Sequence, residues 1–415
     1  TAADVPPTAP PAPPGVDARA QPGGESAARA GRAAAVLLAA ATLYGIALTA
    51  APLLHAQTIP VPTPIAATPH RPADGGAAPA TYAQDPRAQA LAQAWDTEAG
   101  WSDGWATHWL AQARRDEAVR RLILPPPTSG AKNWAAYRAR FVEPRRIAAG
   151  VRFWQTYASA LERAEQVYGV PAWLIVGIIG VETLYGQHLG RHRTLDALAT
   201  LALDFPAEHP RASERQAFFV RELRAFLTLA RASGVPPDRW RGSYAGALGW
   251  PQFMPSSWLA HAVDFDGDGR IDLLASADDA IGSVAAFLRA HGWQTGQPVR
   301  FDVIPPTDAQ QLATLLAPDI RPTFRLQALR ALGAQPSHEA EDYDGLLALV
   351  ALDNGDPARG GQPPTYVLGT SNFYAITRYN QSSYYAMAVI DLGLAVQAAR
   401  AAQWQRAQQQ RAQQP

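Results

Sequence analysis

The sequence predicts a mainly α protein with a minor β element, an α+β chain in which helices dominate. Three observations predict it. Apolar residues recur at spacings of three and four through most of residues 86–297, and glycine or proline closes each run. Residues 298–370 change character, with frequent prolines and short strand-like runs. Helical spacing returns over 384–403.

Taken in order, residues 95–110 and 134–141 read as helices separated by a break at Pro125-Pro126-Pro127. Residues 153–167 form another, stopped by Gly169-Val170-Pro171, which also starts the next. Helices follow over 195–203 and 218–232, then Gly234 and Pro236-Pro237 interrupt. Residues 280–291 are helical and close at Gly292. Within 298–370, residues 299–304 and 366–368 suggest strands.

Both ends differ from this folded part. Residues 1–30 are rich in Pro and Ala and are expected to be disordered. Arg29 and Arg32 precede an uncharged stretch, 33–54, long enough to cross a bilayer, for which about 20 apolar residues suffice. Cations before it and none directly after predict export of the remainder. Residues 31–56 thus read as a signal peptide or an uncleaved membrane anchor, and both readings place the main domain outside the cytoplasm. Residues 57–85 read as a Pro/Ala-rich linker and 404–415 as a frayed tail. The folded part divides into an α domain (86–150), a core (151–297), a β-rich insertion (298–370) and a return to core and α domain (371–403).

Composition narrows the function. The 415 residues are 47% hydrophobic with zero formal net charge, ample for real cores and without the basic stripe of a nucleic-acid binder. There is no cysteine, which excludes disulfides, thiolate zinc sites, a cysteine nucleophile and a lipid-modified cysteine.

Nine apolar or glycine positions, Trp173 to Val181, lead straight into Glu182. A carboxyl at the edge of so apolar a helix loses hydration, which raises its pKa. An acid still protonated near neutral pH can protonate a leaving group, as glycosidic cleavage requires. The bland alternative is a core helix whose glutamate points to solvent. Downstream, residues 241–258 are dense in glycine, hydroxyls and aromatics. Ser243 and Gln252 there can hydrogen-bond sugar hydroxyls or an amide. Asp264, Asp266 and Asp268, Gly269, the Arg270 carbonyl and Asp272 reproduce the first half of an EF-hand loop, but position twelve is Ala275. A later carboxylate, Asp278 or Asp279, would have to complete it. Residues 372–385 add amides and aromatics. His188 and His192 lack a third zinc ligand.

Together these pieces resemble the B-type lytic murein transglycosylases, glycoside hydrolase family 103. The resemblance runs through Tyr168-Gly-Val-Pro171, Ile178-Ile-Gly-Val-Glu182-Thr183, Leu195-Asp-Ala-Leu-Ala-Thr-Leu201 and Ser243-Tyr-Ala-Gly-Ala247. It continues in Gln252-Phe-Met-Pro-Ser-Ser257, the acidic loop, Ala280-Ile-Gly-Ser-Val284, His291-Gly-Trp293 and Asn372-Phe-Tyr374 to Arg378-Tyr-Asn380. It implies a lysozyme-like α-helical catalytic core with a flanking α domain and a small β domain. The implied activity is cleavage of the β-1,4 bond between N-acetylmuramic acid and N-acetylglucosamine of peptidoglycan, without water, leaving 1,6-anhydromuramyl ends. It implies Glu182 as acid and base, a cleft lined by Ser243, Gln252, Tyr379, Asn380, Tyr385 and Tyr137, and structural Ca2+ on Asp264, Asp266, Asp268, Arg270 and Asp279. Asp279 is preferred over Asp278 because it directly precedes Ala280-Ile-Gly-Ser.

The expected partner is the peptidoglycan glycan strand, with no nucleic acid, membrane attachment through 33–54, and a monomer. The chain departs from the family by extra residues between Pro206 and Phe218, around Arg215, and by Phe287 where some members carry a cleft tyrosine. Two rivals stand beside this reading. A lysozyme-like hydrolase needs a second carboxylate, for which Asp196 is available. A calcium-stabilised, non-catalytic peptidoglycan scaffold needs none.

Overall fold

The computed structural model describes residues 80–125 and 132–413. The proposed disordered start and membrane segment, and most of the linker, lie outside the described residues. The helices in chain order are α1 (Pro86–Ala99), α2 (Trp105–Ala111), α3 (Glu117–Leu122), α4 (Trp134–Ala139), α5 (Pro144–Thr156), α6 (Ala158–Tyr168), α7 (Ala172–Thr183) and α8 (Thr194–Leu203). They continue with α9 (Ala212–Ser233), α10 (Pro255–His261), α11 (Ala277–Ala290), α12 (Ala309–Leu316), α13 (Leu326–Ala331), α14 (Ser371–Thr377) and α15 (Ser383–Ala412). The strands are β1 (His192–Arg193), β2 (Arg241–Gly242), β3 (Arg300–Ile304), β4 (Gln335–Pro336), β5 (Ala348–Asn354) and β6 (Gln362–Gly369). The fold is mainly helical with a small antiparallel sheet, as the sequence predicts.

The centre of the molecule is α7 against α15. α7 is apolar all round because it is enclosed all round: Leu174 to Gly180 are buried without exception. Two glycines let the backbones meet. A Cβ on Gly177 would lie 2.4 Å from the Val389 carbonyl oxygen, and one on Gly393 would lie 2.2 Å from that of Trp173. The paired positions show that the two helices run antiparallel. Around this pair α5, α6, α8, α9 and α11 complete one continuous core.

The sheet has order β4-β3-β6-β5 and is antiparallel throughout. Alternation along β5 explains its place between two cores. Leu347 and Leu349 enter a small second cluster with Phe301, Leu315 and Leu329, while Ala348, Val350 and Leu352 face the main core.

Four features depart from the sequence reading. Residues 95–110 form two helices, because Gly100 and Gly104 adopt left-handed φ values of 67° and 64°. The 153–167 run breaks at Tyr157, which caps α5 and opens α6. The β-rich insertion also carries α12 and α13. Residues 404–412 continue α15 instead of fraying, since Ala, Gln and Arg are good helix formers and no glycine or proline interrupts them.

The close approach of α7 and α15 generates a stability prediction. Gly177→Ala places a methyl against a main-chain oxygen that cannot move independently. We expect a loss of about 1–3 kcal/mol, read from urea midpoints, whereas Gly234→Ala, with open space around it, should lose its stability only through backbone strain.

Candidate active site

Glu182 occupies the last turn of α7, at the point where the helix leaves the core. The residues that end the helix are not glycines: Leu184 and Tyr185 have φ of 51° and 57°. Left-handed geometry at two consecutive bulky residues is costly, and the surroundings enforce it. The Tyr185 ring folds back onto α5 and α7, where Cβ atoms on Gly150 and Gly180 would lie 2.3 Å and 2.5 Å from its hydroxyl. Arg146 reaches the same place and donates from Nη1 to the Gly180 carbonyl at 2.5 Å.

Thr183 fastens the turn from the other side. Its buried Oγ1 donates to the Trp250 carbonyl at 3.0 Å and accepts from the Gly186 amide at 3.0 Å. The residue after Glu182 is thereby tied to the 243–252 segment.

The Glu182 carboxyl sits among aromatic residues. Tyr385 donates its hydroxyl to Glu182 Oε1 at 2.6 Å. The Tyr379 ring stacks on Tyr385 with centroids 6.2 Å apart, and its hydroxyl donates to the Pro251 carbonyl at 2.5 Å. Burial pushes the Glu182 pKa up to about 7, and the Tyr385 hydrogen bond, which favours the charged form, only partly opposes that shift. Tyr379 and Tyr385 are raised well above the ordinary phenol range, by burial first and then by the neighbouring Glu182. The Tyr137 hydroxyl is raised by the same two causes in the same order, and its ring meets that of Tyr384 edge-on with centroids 5.9 Å apart.

Ser243 and Gln252 are oriented by their own backbone. Ser243 Oγ accepts from the amides of Ala245 and Ala247 at 3.2 Å and 3.0 Å, leaving its proton free to donate. Gln252 has φ of 49°, and its Nε2 donates to the Gly249 carbonyl at 2.9 Å, leaving Oε1 as the acceptor it presents. Asn380 is exposed on the loop between α14 and α15, next to Tyr379. Phe287 is buried and packs against Tyr379 at 4.8 Å, so it backs the wall without offering a hydroxyl. Arg215 is stacked on Phe218 and Phe219 at 5.0 Å and 5.1 Å.

Asp196 is engaged by other partners. It accepts from the Arg114 amide at 2.9 Å and pairs with Arg193 at 3.0 Å, tying α8 to the N-terminal helices. His192 faces Asp116 at 3.4 Å, and His188 joins no metal-binding group among the described residues.

The acidic loop gathers three carboxylates. One oxygen each from Asp264, Asp266 and Asp268 lie within 4.8 Å of one another, all on exposed residues. Asp264 folds the loop by accepting from the amides of Gly267 and Gly269, both at 2.8 Å. Asp279 is not in this group. Its buried carboxylate accepts from the amides of Phe265 and Asp272, both at 2.7 Å, and from that of Asp266 at 3.3 Å. The loop's far end reaches the site, because Trp250 donates its amide to the Leu273 carbonyl at 2.9 Å.

Sequence reasoning missed Thr183, Arg146 and Tyr185. Thr183 had a usable signal, a hydroxyl directly after the acid. Arg146 and Tyr185 had none, since their partners are distant in sequence.

Comparison with known proteins follows the same outline. The family described as Transglycosylase SLT domain matches residues 83–394. Membrane-bound lytic murein transglycosylase B of Escherichia coli (strain K12) is 40% identical over 327 residues, which cover 77% of this chain and 85% of that protein. The structure of the Escherichia coli lytic transglycosylase SLT35 in complex with calcium is similar at a TM-score of 0.66 and 39% identity, covering 77% of this chain and 95% of that one. SltB3 from Pseudomonas aeruginosa, in complex with NAG-NAM-pentapeptide, gives a TM-score of 0.58 at 29% identity over 74% of this chain and 78% of its own.

The raised Glu182 pKa carries a stability signature. The folded protein keeps this proton up to about pH 7, while the unfolded chain releases it near 4.5. The native state therefore binds the extra proton between those values, and stability falls as pH rises through the window. Glu182→Gln has no proton to lose. We expect its stability relative to wild type to improve by on the order of 3 kcal/mol between about pH 4 and about pH 8, measured by urea unfolding. Equal pH dependence in the two proteins would contradict the shift.

Proposed function

This chain belongs to the lytic murein transglycosylases of the SLT-domain family and cleaves peptidoglycan as a lytic transglycosylase; from that premise we propose which residues carry the reaction. Glu182 is the acid and then the base. Tyr385 occupies Oε1, so the proton resides on Oε2 and is given from there to the glycosidic oxygen. As the C1–O bond breaks, the N-acetyl oxygen of the substrate relieves the positive charge at C1, an exception to the two-carboxylate scheme. The Glu182 carboxylate then takes the proton of the C6 hydroxyl, O6 bonds to C1, and the 1,6-anhydro ring closes. General acid–base catalysis of this kind contributes roughly 10²–10⁴-fold.

The observation that carries this assignment is a single neutralised carboxyl. Burial raises its pKa, and the Tyr385 hydroxyl holds its Oε1 at 2.6 Å. Asp196, the residue a hydrolase would need, is committed to Arg114 and Arg193. The free Ser243 proton and the Asn380 amide serve to orient the N-acetyl group. Gln252 Oε1 accepts a sugar hydroxyl, and Tyr137, Tyr379 and Tyr385 form the walls.

Asp264, Asp266 and Asp268 supply the hard oxygen donors that suit Ca2+, and the Arg270 carbonyl and Asp279 are the proposed further ligands. The ion would neutralise three crowded charges and stiffen the loop that ends at Trp250. The enzyme works in the periplasm on glycan strands as a monomer, reached by export through residues 33–54.

Three experiments test these assignments. Glu182→Gln should fold, co-sediment with purified sacculi and release no product; turnover near the wild-type rate would remove Glu182 from the mechanism. Mass spectrometry of wild-type digests should show termini lighter than reducing ends by one water. For the metal, Asp266→Asn should abolish a calcium-dependent rise in Tm; a rise of wild-type size in that variant would dismiss the site.

A further inference from the structure

Tyr137 stands on α4, a helix of 6 residues, too short to hold its place unaided. Its C-terminal half is held to α15 by the Arg138–Asp391 ion pair at 2.6 Å, and Trp134 is buried beneath it. Its start is gripped by the far tip of the small β domain. Asn354 Oδ1 accepts from the Ala135 amide at 3.1 Å. Asn354 Nδ2 donates to the Pro363 carbonyl at 2.9 Å and to Thr365 Oγ1 at 3.1 Å, which fixes the amide's orientation. The next residue, Gly355, donates to the Lys132 carbonyl at 2.9 Å, and Asn133 bridges Asn354 in strand fashion. An irregularity in the β5–β6 register between Leu352 and Asn354 sets Asp353 apart. The Asp353 amide donates to the Tyr384 hydroxyl at 2.7 Å, and the Tyr384 ring meets Tyr137 edge-on at 5.9 Å.

We propose that Asn354, at the end of β5, is a positioning residue that holds Tyr137 against Tyr384, the chain neighbour of the Glu182 partner Tyr385, so that the small β domain fixes one wall of the glycan cleft. The inference rests on the reading of Tyr137 as a cleft residue. It goes further in giving the β hairpin a task in substrate binding, although no atom of Asn354 touches the reacting groups. The hairpin acts on α4 twice, through its backbone at Lys132–Ala135 and through the Tyr384 ring. Loss of the side chain leaves the ion pair and Trp134 in place, so α4 shifts without unfolding.

The test combines a local probe with kinetics. With 3-fluorotyrosine placed at position 137, Asn354→Ala should shift or split the fluorine resonance while the melting transition stays cooperative. Asn354→Asp, which keeps an acceptor for Ala135, should retain the wild-type resonance. On purified peptidoglycan Asn354→Ala should raise KM roughly three- to tenfold, the scale of one or two net hydrogen bonds, with kcat little changed. In a Tyr137→Ala background the same change should add nothing further. A fluorine spectrum unmoved by Asn354→Ala overturns the inference. A moved spectrum together with wild-type KM in Tyr137→Ala upholds the positioning and instead overturns the cleft role of Tyr137.

Discussion

The proposed reaction sets one constraint on which the rest of the structure depends: a carboxyl must stay neutral while remaining within reach of substrate. α7 meets the first half by surrounding Glu182 with apolar residues and no cation. The turn at Leu184 and Tyr185 meets the second by ending the helix abruptly just after Glu182. Arg146 lies close in space, yet its guanidinium is directed to the Gly180 carbonyl and does not neutralise the acid. Tyr385 supplies a single hydrogen bond, enough to orient the carboxyl and too little to cancel desolvation.

The elements around this acid hold its position more than they perform chemistry. Thr183 links it to Trp250, Trp250 to Leu273, and Leu273 closes the acidic loop. A buried Glu222 accepts from the Ser256 amide at 3.0 Å and from the Ser256 hydroxyl at 2.6 Å, anchoring α10 behind Gln252. These are backbone-directed contacts, which carry no signature in a single sequence beyond a polar residue where an apolar one would pack.

What the sequence makes legible follows from periodicity and local chemistry. The apolar run into Glu182 announces both a fully enclosed helix and a perturbed acid, because both depend on residues adjacent in the chain. The alternating aspartates at 264, 266 and 268 do gather, for the same local reason. Asp279 was legible as an acid near the loop but not as a buried acceptor of three amides, since that needs the fold. Helix ends set by Gly100 and Gly104 hide within a continuous helical pattern. The meeting of Asn354 with Ala135 spans 219 positions and leaves no local trace.

The central claim is that Glu182 enters the reaction carrying a proton. The pH dependence of kcat/KM on purified peptidoglycan tests it most directly, because that ratio reports the ionisation of the free enzyme. The account predicts a single limb that falls as pH rises through about 7, with no ascending limb from a second carboxylate at lower pH. A rate that climbs through the ordinary carboxylate range and stays level above pH 7 would mean the ionised form is the active one, and the claim would fail.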